Sequence, residues 1–326
     1  MPFTSLIGND VIKKLLTRAI SENRIAHALL FAGPRGVGKY QFAMALAQAL
    51  NCDRPTGGDA CGECVPCRKI AANEHLDVET FKPDGQFIKI EPMRDLAEKA
   101  QYRPYEGRRR VYIIDEADRL NPQAANSILK TLEEPPECTA VVLVTSKPYS
   151  LLETIRSRCQ MLNFAPLGRE EMEAVLRESN KLSAEDVSLV ARLAQGSIGR
   201  AREIDVEGYK RIRAAMIELL DAMILSGDTV RLLNAAEYLG RKIEREEFEA
   251  HLDVLLVLLQ DLVYLKVGES PDSLTNADAA GRLARVAEVI SFDRINEVSD
   301  GIEKVLQSLV RNVNRQLAME AVLLAS

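Results

Sequence analysis

A glycine-rich segment near the start of the chain constrains the fold more than any other feature of the sequence. Residues 33–40 read Gly-Pro-Arg-Gly-Val-Gly-Lys-Tyr, which fits the phosphate-loop pattern G-x-x-x-x-G-K. The apolar run at 27–32 predicts a strand before it, and the apolar spacing over 39–50 predicts a helix after it. Backbone N–H groups, a helix N-terminus and a lysine hold phosphate in this setting. The segment therefore predicts an α/β nucleotide-binding fold with the phosphate-binding residues Gly33, Gly36, Gly38 and Lys39.

The residue after the lysine departs from the pattern. Serine or threonine at this position places a hydroxyl on Mg²⁺, whereas this chain has Tyr40. The tyrosine oxygen lies a whole ring away from Cβ, so it cannot take the same coordination point. Mg²⁺ demands nearly octahedral ligands at about 2.0–2.1 Å, although a water could replace the hydroxyl. We therefore expect weak ATP or ADP binding, poor support for Mg²⁺, and weak or absent hydrolysis by this chain.

Two more apolar runs, residues 111–114 and 141–144, predict parallel central strands. The first run ends in two acids, Asp115 and Glu116. Ligands bind at the carboxyl edge of a parallel sheet, so Asp115 is a candidate Mg²⁺ ligand and Glu116 a candidate for orienting the attacking water. These roles would be vestigial in a chain that does not hydrolyse ATP, and the alternative is two solvated acids at a strand end.

Four of the six cysteines follow one another with the spacing C-x8-C-x2-C-x2-C. They are Cys52, Cys61, Cys64 and Cys67. Four thiolates close a tetrahedron and leave no open position, which favours a structural Zn²⁺. The alternative is four free thiols. The other two cysteines, Cys138 and Cys159, are predicted to be ordinary buried or partly buried thiols.

The sequence after about Pro166 contains no strand-like runs and predicts helices almost throughout. From Ile295 to Val313, apolar residues recur at helical spacing, which predicts one long amphipathic helix. This helix either packs inside its own helical domain or also contacts neighbouring subunits, and the sequence leaves both alternatives open.

The composition excludes several classes of protein. At 326 residues the chain is too long for one ordinary core, which predicts two or three domains. Its net charge of −6 excludes a global electrostatic grip on nucleic acid, so any DNA contact must come from a local patch or from partner subunits. No apolar run is long enough to span a membrane, and residues 1–10 lack the pattern of a secretory signal. We therefore expect a cytoplasmic protein with no membrane partner.

Several motifs occur in an order that resembles the bacterial clamp-loader subunits of the AAA+ class. They are the phosphate loop, the four-cysteine insert, the two acids, residues 129–136 (Leu-Lys-Thr-Leu-Glu-Glu-Pro-Pro) and residues 157–159 (Ser-Arg-Cys). The resemblance is dense over residues 3–205 and weaker over the rest of the chain. It implies an α/β RecA-like AAA+ domain with an inserted zinc module, a small helical lid domain and an all-α C-terminal collar domain. The implied ranges are 1–165 with the zinc module at 52–67, then 166–207, then 208–326.

The resemblance also implies roles for single residues. Arg158 would be an arginine finger, presented in trans to ATP on a neighbouring subunit, with a surface salt bridge as the alternative. Thr145 and Ser146 match the sensor-1 position, where one of the two would read the γ-phosphate, and Arg200 matches sensor 2 at the start of a lid helix. The alternative is that both sensors are vestigial or structural in a subunit that binds nucleotide weakly.

Within this family, Tyr40 and the lid motif at residues 196–201 resemble the rigid, non-motor (stator) type of subunit rather than the gamma/tau motor. The resemblance then implies a part in DNA replication, in which the subunit helps to assemble the ATP-dependent loader that opens the sliding clamp and places it on primed DNA. The implied partners are the gamma/tau and delta clamp-loader subunits, the sliding clamp, and primer-template DNA held near Arg94. For the basic run Arg108–Arg110, a solvated face is the alternative to DNA contact. The alternative function is an active ATPase of the gamma/tau type, while the cysteine insert and the Ser-Arg-Cys motif count against a branch-migration helicase.

Overall fold

The computed structural model describes residues 1–179, 182–309 and 313–324, and these form two compact units. Unit 1 comprises Met1–Lys181 and Ala194–Glu203, and unit 2 comprises Leu182–Leu193 and Ile204–Ser326, each within its described residues. The three domain ranges implied by the resemblance stay predictions.

Unit 1 is built on a parallel five-stranded sheet. Its strands are β1 (Ala28–Ala32), β2 (Val78–Phe81), β3 (Arg110–Ile114), β4 (Thr139–Thr145) and β5 (Gln160–Asn163). They lie in the order β2-β3-β4-β1-β5, and every neighbouring pair is parallel. The loops that follow β1, β3 and β4 therefore open at the same edge of the sheet. This is the predicted RecA-like α/β arrangement, and the prediction is confirmed for the sheet.

The central strands could be predicted from the sequence because they are fully buried. Every residue of the central strands β1 and β4 is buried, so both read as continuous apolar runs. The edge strands β2 and β5 were not predicted. Each has only four residues and is partly exposed, so neither needs an apolar run.

The helices follow the strands along the chain. Those of unit 1 up to residue 179 are α1 (Asp10–Ser21), α2 (Lys39–Asn51), α3 (Val65–Ala71), α4 (Ile90–Lys99), α5 (Pro122–Ser127), α6 (Leu129–Glu133), α7 (Glu153–Arg156) and α8 (Arg169–Glu178). Helix α9 (Ala184–Leu193) belongs to unit 2 and α10 (Ile198–Glu203) to unit 1. The later helices, all in unit 2, are α11 (Val206–Leu220), α12 (Thr229–Glu237), α13 (Arg245–Lys266), α14 (Ala280–Val289), α15 (Phe292–Ser308) and α16 (Arg315–Leu324).

The two faces of the sheet pack against different helices. Leu29 and Phe31 of β1 join a buried cluster that includes Phe42 of α2. Leu30, which points to the opposite face, joins a second cluster that includes Met93 of α4. The alternation along one strand thus covers both faces of the sheet with helices.

The helical segment after β3 begins at a side-chain cap and is interrupted once. The Asn121 side chain caps α5 by accepting a 2.7 Å hydrogen bond from the Ala124 N–H. The Ser127 hydroxyl donates 2.7 Å to the Ala124 carbonyl, which competes with the helical ladder. The helix ends at Ser127, Ile128 forms a turn, and α6 begins at the next residue.

Unit 2 is helical over its described residues and buries one apolar cluster. The amphipathic helix predicted from Ile295 is α15, which ends at Ser308. Val313 lies beyond it, and residues 310–312 lie outside the described part of the chain. The predicted helix therefore ends earlier than expected. Asn314 accepts from the Leu317 N–H and starts the separate helix α16, which lies outside the predicted range. In the described ranges, no helix is both long enough and apolar enough to cross a membrane.

Candidate functional site

The predicted phosphate loop connects β1 to α2, and α2 begins at Lys39 directly after the last glycine. Two of its glycines are required by the backbone. A Cβ on Gly33 would lie 2.4 Å from the carbonyl oxygen of Phe164, and Gly36 has a φ of 76°, in the left-handed region. Other residues adopt such positions only with strain. The loop thus has the backbone shape of an anion cradle at a helix N-terminus.

Lys39 is folded into this loop rather than extended into solvent. Its Nζ donates hydrogen bonds of 2.7 Å and 2.6 Å to the carbonyl oxygens of Gly33 and Pro34. The residue is only 6% exposed. Burial lowers the pKa of Lys39 to about 8, although Asp115 and Asp118 act in the opposite direction. A phosphate that binds this ammonium group would replace these two carbonyl groups as its partners, and the strength of nucleotide binding stays a prediction.

The start of α10 lies against the phosphate loop. The Gly199 N–H donates 3.0 Å to the Gly36 carbonyl oxygen, and the Ser197 Oγ lies 2.2 Å from where a Cβ on Gly36 would be. Arg200, the predicted sensor 2, follows this contact directly. Its guanidinium is exposed and donates 3.4 Å to the Gln195 side chain. The predicted sensor-2 segment therefore reaches the loop, while its arginine side chain contacts its own segment.

Tyr40 contacts β2 from the first turn of α2. Its hydroxyl oxygen lies 3.4 Å from the Thr80 Oγ1. The Lys82 Nζ lies 4.6 Å from the centroid of the Tyr40 ring and 3.9 Å from the Asp115 Oδ2. Burial raises the pKa of Asp115, and Lys82 opposes this rise. These residues do not fit Mg²⁺, because the loop offers no short hydroxyl and the acid already has an ammonium partner.

Lys82 was not among the residues predicted from the sequence. The register of β2 and β3 pairs Phe81 with Ile114, so the next two residues, Lys82 and Asp115, stand side by side. Predicting this pair would have required predicting the edge strand β2 and its register with β3. The sequence of β2 has no apolar run, so the strand was not predicted.

Glu116, the acid predicted to orient water, pairs with arginines of its own chain. Its backbone is left-handed, with a φ of 51°. Its carboxylate lies 3.0 Å from the Arg119 Nε and 3.8 Å from the Arg35 guanidinium. Each of the two acids at the end of β3 therefore lies near a cationic side chain of the same chain. The alternative of two solvated acids did not predict these partners.

The two candidates for sensor 1 differ in their surroundings. The Thr145 side chain is buried, and its hydroxyl donates 2.6 Å to the Asp118 carboxylate while accepting 2.9 Å from the Lys147 N–H. Ser146 is exposed. The Thr145 hydroxyl is therefore hydrogen-bonded within its own chain. The sensor-1 role of either residue stays a prediction.

Arg158, the predicted finger, follows α7 and contacts the end of α6. Its Nε donates 2.6 Å to the Glu133 carboxylate, and its Nη1 donates 2.8 Å to the Thr154 carbonyl. Glu133 lies in the Leu-Glu-Glu-Pro-Pro segment that the resemblance singled out. In the lone chain, the salt-bridge alternative therefore describes this arginine, and the guanidinium stays partly exposed.

The four clustered cysteines lie from the end of α2 to the first turn of α3, with their sulfur atoms all within 4.8 Å of one another. The Cys61 N–H points to the Cys52 sulfur at 3.3 Å, and the Cys64 N–H to the Cys61 sulfur at 3.3 Å. Hydrogen bonds from backbone N–H groups lower the pKa of Cys61 to about 6. These donor atoms fit a tetrahedral Zn²⁺, since four sulfur atoms lie close together and backbone N–H groups point to two of them. Cys159, outside the cluster, is a partly buried thiol whose pKa burial raises to about 12.

The basic run before β3 is largely engaged within the chain. Arg109 donates 3.1 Å to the Asn23 side chain, and Arg110 donates 3.2 Å to the Arg103 carbonyl. Arg94, in contrast, is exposed on α4. The solvated-face alternative for Arg108–Arg110 is therefore too simple, because two of these three side chains support the fold.

Comparisons with known proteins agree with these features. Residues 8–168 match the family described as DNA polymerase III, delta subunit, and residues 210–326 match the one described as its C terminal. The chain is 31% identical over 314 residues to DNA polymerase III subunit delta' of Bacillus subtilis, which covers 96% of this chain and 94% of the relative. It is 30% identical to subunit delta' of Escherichia coli, covering 95% of this chain and 91% of the relative.

The motor-type relatives are matched over a smaller share of their length. The chain is 34% identical over 302 residues to DNA polymerase III subunit tau of Escherichia coli, covering 85% of this chain and 46% of tau. The resemblance drawn from the motifs, to this type of subunit rather than to gamma/tau, is confirmed by the delta' relatives that match over nearly their whole length. The chain belongs to the delta' family of DNA polymerase III subunits.

Proposed function

We propose that this chain is a stator-type clamp-loader subunit that presents Arg158 to ATP on a neighbouring subunit and hydrolyses little or no ATP itself. The observation that carries this proposal is the pairing at the end of β3. Asp115 lies beside Lys82, and Glu116 beside Arg119, so both acids of the chain's own cleft are neutralised internally. Hydrolysis needs these positions free to hold metal and water. The acids are then vestigial, as are Thr145 and Arg200 in their sensor roles.

The energies favour release of Arg158 to a neighbour. Its ion pair with Glu133 is partly exposed, with 32% and 45% of the two side chains accessible. Such pairs contribute about 0–1 kcal/mol. An arginine finger accelerates phosphoryl transfer by about 10³–10⁵, which corresponds to roughly 4–7 kcal/mol. The interaction of Arg158 with the transition-state charge on a neighbouring ATP is therefore stronger than its ion pair with Glu133.

The proposal is tested in a loader reconstituted with gamma/tau and delta subunits. We expect Arg158→Ala to slow single-turnover hydrolysis at the site it serves by about 10³-fold or more. Arg156→Ala is the matched control, because it removes an equal charge two residues earlier, where Arg156 stacks on Tyr149 at 5.2 Å. An Arg158→Ala loader that hydrolyses ATP as fast as the control would contradict the finger assignment.

The remaining partners follow from the same proposal. The loader would act on the sliding clamp and on primer-template DNA, with Arg94 as the exposed arginine nearest to the proposed DNA path. The four cysteines would hold one structural Zn²⁺, whose closed shell supplies stability rather than chemistry. Nucleotide at the chain's own loop would be held by Gly33, Gly36, Gly38 and Lys39, and weakly.

The second candidate function is an active ATPase of the gamma/tau type. It is favoured by the 34% identity to Escherichia coli tau and by the intact lysine of the phosphate loop. Purified chain alone discriminates the two, because a motor subunit turns over ATP and the proposed stator does not. Sustained turnover by the isolated chain would favour the motor.

A further inference from the structure

We infer that the ammonium group of Lys82 takes the place of Mg²⁺ in this cleft, which makes the phosphate loop a divalent-independent site for nucleoside polyphosphate. The inference deepens the proposed function, in that it rests on the cleft being a nucleotide site. It does not involve Arg158. Failure of one claim can therefore be told apart from failure of the other.

The position of Lys82 is built into the sheet. Phe81 and Ile114 are register partners, and the Asp115 N–H donates 2.8 Å to the Phe81 carbonyl. The main chain therefore places residues 82 and 115 side by side, so the Lys82 side chain can reach the Asp115 carboxylate. The Lys82 Nζ lies 3.9 Å from the Asp115 Oδ2. This carboxylate is the ligand that a divalent cation would need at the end of β3.

Tyr40 completes the replacement. Its ring lies 4.6 Å from the Lys82 Nζ, and its hydroxyl oxygen lies 3.4 Å from the Thr80 Oγ1. A cation over an aromatic face is attracted by the ring quadrupole. The residue that removes the metal-binding hydroxyl therefore also supports the lysine. One change without the other would leave either an unsupported ammonium or an incomplete metal site.

The charges in the cleft remain suited to phosphate. An ammonium carries three donors and needs no octahedral shell, whereas Mg²⁺ loses its water reluctantly. Lys39 and the N-terminus of α2 add positive potential at the same loop. Polyphosphate charge can thus be balanced by fixed protein groups, and a divalent cation would be repelled from the position that Lys82 holds.

The test measures ATP affinity of the purified chain in Mg²⁺ and in EDTA. We expect wild type to bind with the same Kd in both, within about twofold. Tyr40→Thr alone should stay independent of Mg²⁺, because Lys82 still occupies Asp115. Tyr40→Thr combined with Lys82→Ala should bind about tenfold more tightly in Mg²⁺ than in EDTA. Tyr40→Thr combined with Lys89→Ala is the matched control, since Lys89 pairs with Asp84 on the surface and should change nothing.

Three outcomes overturn the inference. The first is a wild-type chain that binds ATP only with Mg²⁺ or not at all. The second is a Tyr40→Thr variant that gains full Mg²⁺ dependence while Lys82 is present. The third is a double variant at positions 40 and 82 that melts like wild type and yet gains no dependence on Mg²⁺. Using Lys82→Gln in the double variant repeats the test where the alanine variant fails to fold.

Discussion

Asp77, a single buried acid directly before β2, fixes the loop that leads into β3. Its carboxylate accepts hydrogen bonds of 2.8 Å from the N–H groups of Tyr105, Glu106 and Gly107. The Arg110 Nε lies 3.6 Å away. Burial by itself would raise the pKa of Asp77, but these N–H bonds and Arg110 lower it below the usual value. The folded state therefore holds this carboxylate ionised.

We expect Asp77→Asn to lower the free energy of unfolding at neutral pH by about 2–3 kcal/mol, because hydrogen bonds to a charged acceptor are the stronger ones. The folded-state pKa lies below the unfolded one. The wild-type advantage is therefore fully present above the unfolded pKa and is lost as the pH falls through the folded pKa. Urea denaturation at neutral and acidic pH measures both effects. Asp84→Asn, at an exposed acid, is the control, and an Asp77→Asn variant as stable as wild type would contradict this account.

The residues of the cleft were predictable to different degrees. The phosphate loop and Tyr40 lie within one continuous segment, so the missing hydroxyl was visible in the sequence. Lys82 and Asp115 are far apart along the chain and meet only through the register of β2 and β3. The contact of Arg158 with Glu133 likewise joins the end of α6 to the segment that follows α7. Tertiary pairs of this kind leave no local pattern to read.

The four-cysteine insert is the element whose function depends on a ligand. Cys52 follows the end of α2, Cys64 precedes α3, and Cys67 lies in the first turn of α3. Its turns are short, and the Thr56–Asp59 bridge is isolated from the sheet. A bound Zn²⁺ would therefore tie the end of α2 to the start of α3.

We expect about one Zn²⁺ per purified chain, because four thiolates complete one tetrahedral shell. Cys64→Ser should lose the metal and lower the melting temperature, while Cys138→Ser, outside the cluster, should keep both. Elemental analysis and thermal denaturation provide the two readouts. Purified wild-type chain without zinc, or a Cys64→Ser variant that retains it, would be incompatible with the assignment.

Local sequence patterns were sufficient to predict some helices and strands but not all of their boundaries. The strands β1, β3 and β4 and helix α2 were predicted because buried central elements are continuously apolar or amphipathic. The break at Ile128 was not, because Ala125, Ile128 and Leu132 keep the apolar spacing of one continuous helix across it. The end of α15 was placed too late, because Val313 continues the apolar spacing although the chain has left the helix.

At the scale of the whole molecule, the charges fit a subunit that acts within an assembly. The net charge is −6, and Arg109 and Arg110 are engaged within the chain. A negative net charge does not favour DNA binding over the whole surface, so DNA contact would need a local basic patch. The phosphate loop keeps its backbone shape, the two acids after β3 lie near Lys82 and Arg119, and Arg158 forms a partly exposed ion pair. These features agree with the proposed role within a loader.

The most direct test of this account is the ATPase rate of the reconstituted loader on clamp and primed DNA, measured with two variants of this chain. We expect Arg158→Ala to lower the steady-state rate, because a neighbouring site loses its finger, and Lys39→Ala to leave it close to wild type, because the chain's own cleft does no hydrolysis. Co-purification with gamma/tau and delta shows that both variants assemble. A loader that slows with Lys39→Ala and not with Arg158→Ala would contradict the central claim.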